Sequence, residues 1–196
     1  QLVFSATTAT ILTGAIAERS SFISNVLGVV FVTSIIYPIF GHWVWGNLFC
    51  PEQSGWLARL GFIDFAGSTV VHSIGGWFAL AGAVVVGPRI GKYTPDGSSN
   101  RMGLHNIPLA TLGTFFLWFG WFGFNGGSAL MANGIASIAF VNTDIAGSIA
   151  MITWLFYERM LGRKMSAIGA CVGAVVGLVA ITPAAGFVNI GSAMFI

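Results

Sequence analysis

The sequence predicts an all-α, polytopic transmembrane helix bundle, and three observations predict it. Only 7% of the 196 residues are charged while 56% are hydrophobic, where soluble domains run near a quarter charged. Mean hydropathy is +0.86, and apolar stretches of about 20 residues, the length a helix needs to cross a bilayer, recur along the chain. The few basic residues fall almost entirely on alternate connections between those stretches, which is the charge asymmetry of a membrane protein.

Residues 1–17 read as the second half of a spanning helix closed by Glu18-Arg19-Ser20-Ser21. A second span runs from about Asn25 to Trp45, and Pro38 is expected to bend it. A loop with Cys50, Pro51, Glu52 and Arg59 leads to a third span, Asp64 to about Gly87. Pro88 to His105 is the one polar segment, turn-rich around Pro95-Asp96-Gly97. The fourth span, about Pro108 to Phe124, ends in the turn-like Asn125-Gly126-Gly127-Ser128, and the fifth covers about Ile135 to Phe156 and stops at Glu158-Arg159. A sixth, about Met165 to Ile181, ends at Thr182-Pro183, and Gly186 onward begins a seventh.

Because successive loops alternate sides, Arg19, Arg89, Lys92, Arg101, Arg159, Arg163 and Lys164 share one side and Arg59 alone faces the other. The first group is therefore expected to be cytoplasmic, and the Cys50 and 125–133 connections external. No Lys/Arg cluster could track phosphates, so nucleic acid is not an expected partner. Cys50 in a loop and Cys171 in an apolar helix are not expected to pair, no metal-ligand spacing occurs, and no cofactor is implied. The chain opens at Gln1 without a leader and ends at Phe195-Ile196 inside an apolar run, so it reads as the interior of a longer protein.

The stretch Asp64-Phe65-Ala66-Gly67-Ser68-Thr69-Val70-Val71-His72 places an acid and an imidazole in an apolar segment, where an ionisable group costs roughly 2.5 to 3.5 kcal/mol. Asp64 is expected at the start of the third span, capping free amides, attracting a cation, or both. His72 falls about two helical turns on, roughly 12 Å deeper and near the same face. It suits a pore ligand or proton relay, and equally a hydrogen-bonded packing residue. Phe4, Trp43, Trp45, Trp121 and Phe124 gather at the external ends, which fits a cation–π site or an interfacial belt. Ser128 could serve a polar ligand at the external mouth or close an ordinary turn. Asp144, beside Asn142 and Thr143, is expected in an interhelical hydrogen bond, and Gly75-Gly76, Gly120, Gly123, Gly169, Gly173 and Gly177 are expected at close helix contacts.

Taken in order, these motifs closely resemble the Amt/Mep/Rh ammonium transporter family, and its Amt branch in particular. Beside the 64–72 signature stand Gly14-Ala15-Ile16-Ala17-Glu18-Arg19, His42-Trp43-Val44-Trp45-Gly46, His105-Asn106-Ile107-Pro108, Gly120-Trp121-Phe122-Gly123-Phe124-Asn125-Gly126-Gly127-Ser128 and Ala139-Phe140-Val141-Asn142-Thr143. The resemblance covers essentially the whole chain and implies a partial transporter domain, 1–196, running from about the third to the ninth of eleven spans. It implies a homotrimer with a pore in each subunit. It implies that Phe4 and Phe124 form a stacked gate, that Phe4, Trp45 and Ser128 recruit ammonium, and that Asp64 supports that site. Trp121 would be a pore-wall aromatic and His72 the first of two pore histidines, the second belonging to a span this sequence does not contain. Two features depart from the family pattern: the Trp45-to-Asp64 loop is long, and Asp144 is unusual at its position.

On that resemblance, ammonium is deprotonated near the Phe gate and ammonia passes His72 with separate proton transfer. The substrate is ammonium or ammonia, and a regulatory protein of the PII type is an implied partner. A second reading is an ammonium-sensing module of a larger protein with a fused signalling domain. A third is an intramembrane hydrolase with Ser128 as nucleophile and His72 as base, opposed by the expected depth difference between them.

Overall fold

The computed structural model describes residues 1–46, 52 and 54–196; Cys50 and Pro51 lie outside the described residues. Among the described residues the secondary structure is helical, with one isolated antiparallel bridge, Tyr93 to Ser99, and no strand. Four helical stretches are long and apolar enough to cross a membrane: Phe22–Trp45, Ser68–Val86, Ile107–Gly127 and Gly134–Met160. Leu2–Ile16 and Ala167–Ile181 are shorter apolar helices. The chain divides into two compact units, Gln1–Ile63 with Thr69–Gly103, and Asp64–Ser68 with Leu104–Ile196.

The first unit holds α1 (Leu2–Ile16), α2 (Phe22–Phe31), α3 (Tyr37–Trp45), the short α4 (Trp56–Arg59) and α5 (Ile74–Val86). The second span starts at Phe22, earlier than the expected Asn25, because the Ser21 side chain accepts the Ser24 amide at 3.2 Å and caps the helix there. Pro38 sits in the first turn of α3. Its ring lacks an N–H and crowds the carbonyl four residues back, and the chain absorbs this as a π-helical turn, Val32–Ile36, so the expected bend takes the form of a widened turn. The core between α1, α2 and α5 is Ala9, Val32 and Ile74, flanked by Val29, Ile36, Phe40 and Phe78. α1 and α5 run parallel, Gly75 lying against Thr8 and Ile11 and Gly82 against Leu12 and Ile16. A Cβ on Gly82 would stand 2.8 Å from Ile16 Cγ2, so glycine is what allows the approach.

The second unit holds α6 (Ile107–Gly127), α7 (Gly134–Met160), α8 (Ala167–Ile181) and the short α9 (Ile190–Ala193). Asn106, Asn133, Ser166 and Asn189 cap these four helices, each accepting a backbone amide two or three residues into its helix. α7 and α8 form an antiparallel hairpin whose seam is glycine: Gly173 faces Trp154 and Ala150, and Gly177 faces Ala150 and Ala146. The core cluster is Ala139, Ala146, Ile181, Ala185 and Ala193, with Phe65 and Val188 packed against it.

Three expectations need correction. The Asn125-Gly126-Gly127 turn is helical, α6 running on to Gly127, because the Asn125 side chain is fully buried and donates to Thr143 Oγ1 at 2.8 Å. α7 continues through Glu158-Arg159 to Met160, since the Glu158 carboxylate turns to accept Ser166 N at 2.9 Å and leaves its own helix unbroken. The seventh helix starts at Ile190 and not at Gly186, because Asn142 Nδ2 donates to both Ala185 O and Val188 O at 2.8 Å and holds that backbone in a turn.

Candidate functional site

In the first unit, Phe4 on α1 and Trp45 at the end of α3 meet with ring centroids 5.9 Å apart and planes tilted by 60°. Both are half-buried. Trp43 turns to a separate cluster, 5.7 Å from Phe40 and 5.7 Å from Trp56. That arrangement splits the expected external aromatic group: Trp45 pairs with Phe4, whereas Trp43 is exposed and belongs to the rim. His72 is half-buried in a π-helical turn, Ser68–Ser73, directly after Val70 and Val71, which are fully buried. The α-helical arithmetic that set His72 two turns beyond Asp64 does not apply, because residues 64–67 are extended or bent and 68–73 are π-helical.

In the second unit, Asp64 precedes the third span and does not begin it, since the helix starts at Ser68. The capping role holds in a longer form: Gly67 N and Ser68 N each donate to Asp64 Oδ1 at 2.9 Å, and the residue is 4% exposed. The 64–68 segment is fastened to the end of α8 by Phe65 N to Pro183 O at 3.0 Å, Ala66 N to Thr182 O at 3.2 Å and Ser68 Oγ to Val179 O at 3.4 Å. A buried carboxyl group serving two amides is well satisfied.

Trp121 is buried, and its indole donates to Thr182 Oγ1 at 2.9 Å, which in turn donates to Leu178 O at 2.6 Å. Its ring centroid lies 5.8 Å from that of Phe124, tilted by 49°. Ser128 caps α6, its Oγ donating to Phe124 O at 2.8 Å. With the hydroxyl proton engaged, the Ser128 oxygen keeps its lone pairs for a donor. Asp144 behaves as expected, accepting from Trp118 Nε1 at 3.2 Å. Among the described residues no group of His, Cys, Asp and Glu is arranged to hold a metal ion.

Each unit therefore gathers its own share of the expected site: Phe4, Trp45 and His72 in the first, Asp64, Trp121, Phe124 and Ser128 in the second. The residues sequence reasoning missed are buried polar ones: Thr182, which holds Trp121, Asn125 and Thr143, which hold the end of α6, and Asn142, which holds the turn before α9. All four are fully buried. A polar side chain inside an apolar span is the signal that could have found them, for such a group must meet a partner.

The Ammonium Transporter Family model matches residues 1–196. The chain belongs to the ammonium transporter family. Ammonium transporter Amt2 of Archaeoglobus fulgidus is 43% identical over 200 residues, covering 100% of this chain and 42% of the relative. Among solved structures, a protein titled Sensor Amt Protein superposes with a TM-score of 0.96 at 59% identity, over 100% of this chain and 48% of that one. Mep2 of Saccharomyces cerevisiae superposes at 0.84 with 36% identity, over 98% of this chain and 42% of that one. The chain thus spans rather less than half the length of these relatives, and its helical, multi-span architecture is that of ammonium transporter structures.

Proposed function

We propose that the protein of which this chain is part moves ammonium across a membrane. The observations that carry the reading are a pair of tilted rings within each unit and, in the second unit, an oriented hydroxyl acceptor. Phe4 and Trp45 lie together, Trp121 and Phe124 lie together, and Ser128 has its proton committed to Phe124 O. A small cation that loses its water shell needs cation–π faces, worth roughly 0.5 to 2 kcal/mol each, and an oxygen for its N–H bonds. In this reading Phe4, Trp45 and Ser128 recruit ammonium, and the Asp64 charge supports them. Phe4 and Phe124 gate the path at the point where the proton leaves. Trp121 forms pore wall, and neutral ammonia passes His72 while the proton travels separately. A bare cation in hydrocarbon would be prohibitive, which is why deprotonation comes before the apolar path. The protein works as a homotrimer in a cell membrane, with the Arg89, Lys92 and Arg101 loop and the Arg159, Arg163 and Lys164 loop in the cytoplasm, where a PII-type protein would dock. The committed Ser128 proton also speaks against the hydrolase reading, because a nucleophile must hand that proton to a base.

One observation favours a second reading, ammonium sensing by the same fold with a fused signalling domain: the 59% identity to a structure titled as a sensor exceeds the 43% to Amt2. Ammonium-evoked current from the full-length parent protein on a supported membrane, with His72→Ala alongside, tests both. A wild-type current that the variant loses supports transport through this pore. Saturable ammonium binding with no current in either would replace transport by sensing.

A further inference from the structure

In the first unit, Arg19 touches two helix ends. Arg19 follows α1 and sends one guanidinium nitrogen to Ala15 O in the last turn of α1 and the other to Gly87 O just past α5. Glu18 before it adopts a left-handed conformation, φ 66°, which turns the chain so that Arg19 folds back over the helix end. Gly87 is left-handed too, at φ 70°. Because α1 and α5 run parallel, their C-terminal ends, each carrying a partial negative charge, come side by side. A single planar guanidinium shared between them satisfies a carbonyl at each end and neutralises both dipoles. The neighbouring Glu18–Arg89 ion pair, at 3.0 Å, is an exposed pair of the kind that contributes little.

The rest of the α1–α5 seam is close packing on glycine, Gly75 against Ile11 and Thr8 O and Gly82 against Ile16 and Leu12. Such contacts hold two helices together without selecting sharply among small axial offsets, since apolar attraction has no direction. Arg19 supplies the missing direction. Phe4 lies 12 residues before the end of α1 at Ile16, about 18 Å along a rigid rod, and the π-helical turn bearing His72 leads straight into α5.

We infer that Arg19 is a positioning residue: it sets the axial register of the Phe4-bearing helix against the helix that follows His72, and so tunes which cation the aromatic site accepts. The inference rests on the transport reading. Its test uses the full-length parent protein in proteoliposomes, comparing wild type with Arg19→Met, Arg19→Lys and, as an independent disturbance of the same seam, Gly82→Ala. The readout is the ratio of apparent affinities for ammonium and methylammonium per folded molecule, beside the melting temperature. Arg19→Met should change that ratio about threefold or more, a shift of order one RT in differential binding. Arg19→Lys, which can reach one carbonyl at a time, should fall between, and Gly82→Ala should change the ratio as well. In parallel, spin labels on cysteines replacing the exposed Leu2 and Trp77, with Cys50 and Cys171 changed to Ser, report the register directly. The distance distribution should be narrow in wild type and displaced or broadened in Arg19→Met.

Lowered melting temperature with an unchanged ratio would reduce Arg19 to a helix cap and overturn the inference. If Arg19→Met does not fold, an unchanged ratio in both Arg19→Lys and Gly82→Ala overturns it equally. A displaced label distance with no ammonium movement in wild type would mean that the register is real and the transport reading is what failed.

Discussion

The α1–α5 seam and the α7–α8 seam are both made with glycine, yet they differ in direction and in what the glycine meets. α1 and α5 are parallel, their like ends adjoin, and Arg19 bridges them. α7 and α8 are antiparallel, so their dipoles compensate, and the end chemistry reduces to Glu158 capping the α8 start through Ser166. In the first seam Gly82 faces side-chain methyls of Ile16 and Leu12, while Gly75 also meets Thr8 O. In the second, Gly173 and Gly177 face backbone: a Cβ on Gly173 would stand 2.9 Å from Ala150 O and 3.0 Å from Met151 Cα. A seam against side-chain tips can yield by a few tenths of an ångström, whereas one against backbone can move only if a whole helix moves.

The sharpest way to break this contrast is at Gly177. Gly177→Val should destabilise the second unit by about 3 kcal/mol or more, while Gly82→Ala should cost less than about 1 kcal/mol. Thermal unfolding of the full-length protein in detergent measures both, and equal losses would erase the distinction. Next comes the amide that ties α7 to the turn before α9. Asn142→Leu removes the donor from the buried Ala185 O and the part-buried Val188 O and should cost about 2 to 4 kcal/mol. Hydrogen exchange should then rise across 184–190 and not across α1.

Glu158→Gln tests the antiparallel end more gently. It keeps an oxygen for Ser166 but removes a charge from the α8 N-terminus, for an expected loss of about 0.5 to 1 kcal/mol that shrinks as salt is added. A salt-independent loss would point to packing over Gly169 instead.

The smallest effect lies in the exposed 94–98 turn. Hydrogen bonds from the Thr94 and Ser98 side chains and then the Ser98 amide hold the Asp96 carboxyl below its ordinary value of 3.8. A depressed acid contributes stability above its unfolded pKa and loses it as pH falls through the folded value. The Ser98 amide should therefore be protected at neutral pH and lose that protection only well below pH 4, with the helices unaffected. Loss at pH 6 would contradict the assignment.

Much of this molecule was legible one residue at a time. Hydropathy and length marked the apolar helices and placed the starts of α6 and α8 to within a few positions, where the structure shows the local caps Asn106 and Ser166. Motif order alone pointed to the family, and with it to Phe4, Trp45, Trp121, Phe124, Ser128, Asp64 and His72 as the residues to inspect. The errors have one cause. Asn125-Gly126-Gly127 looked like a turn because Asn and Gly disfavour helix locally, but Thr143, 18 residues away, satisfies the Asn125 amide and keeps the helix going. Gly186 looked like the start of a span because its neighbours are apolar, but Asn142 on another helix holds that backbone in a turn.

The sequence by itself determined composition, helix type, family and the identity of the chemically competent side chains, because these depend on residue type and short-range order. Only the tertiary structure decided where Pro38 would widen its helix into a π turn and how Asp64 would cap from four residues upstream. It also decided that Trp121 would rest on Thr182 and that one arginine would join two parallel helix ends. The last two are hydrogen bonds between residues distant in the chain, and the sequence lists their possible partners without choosing among them.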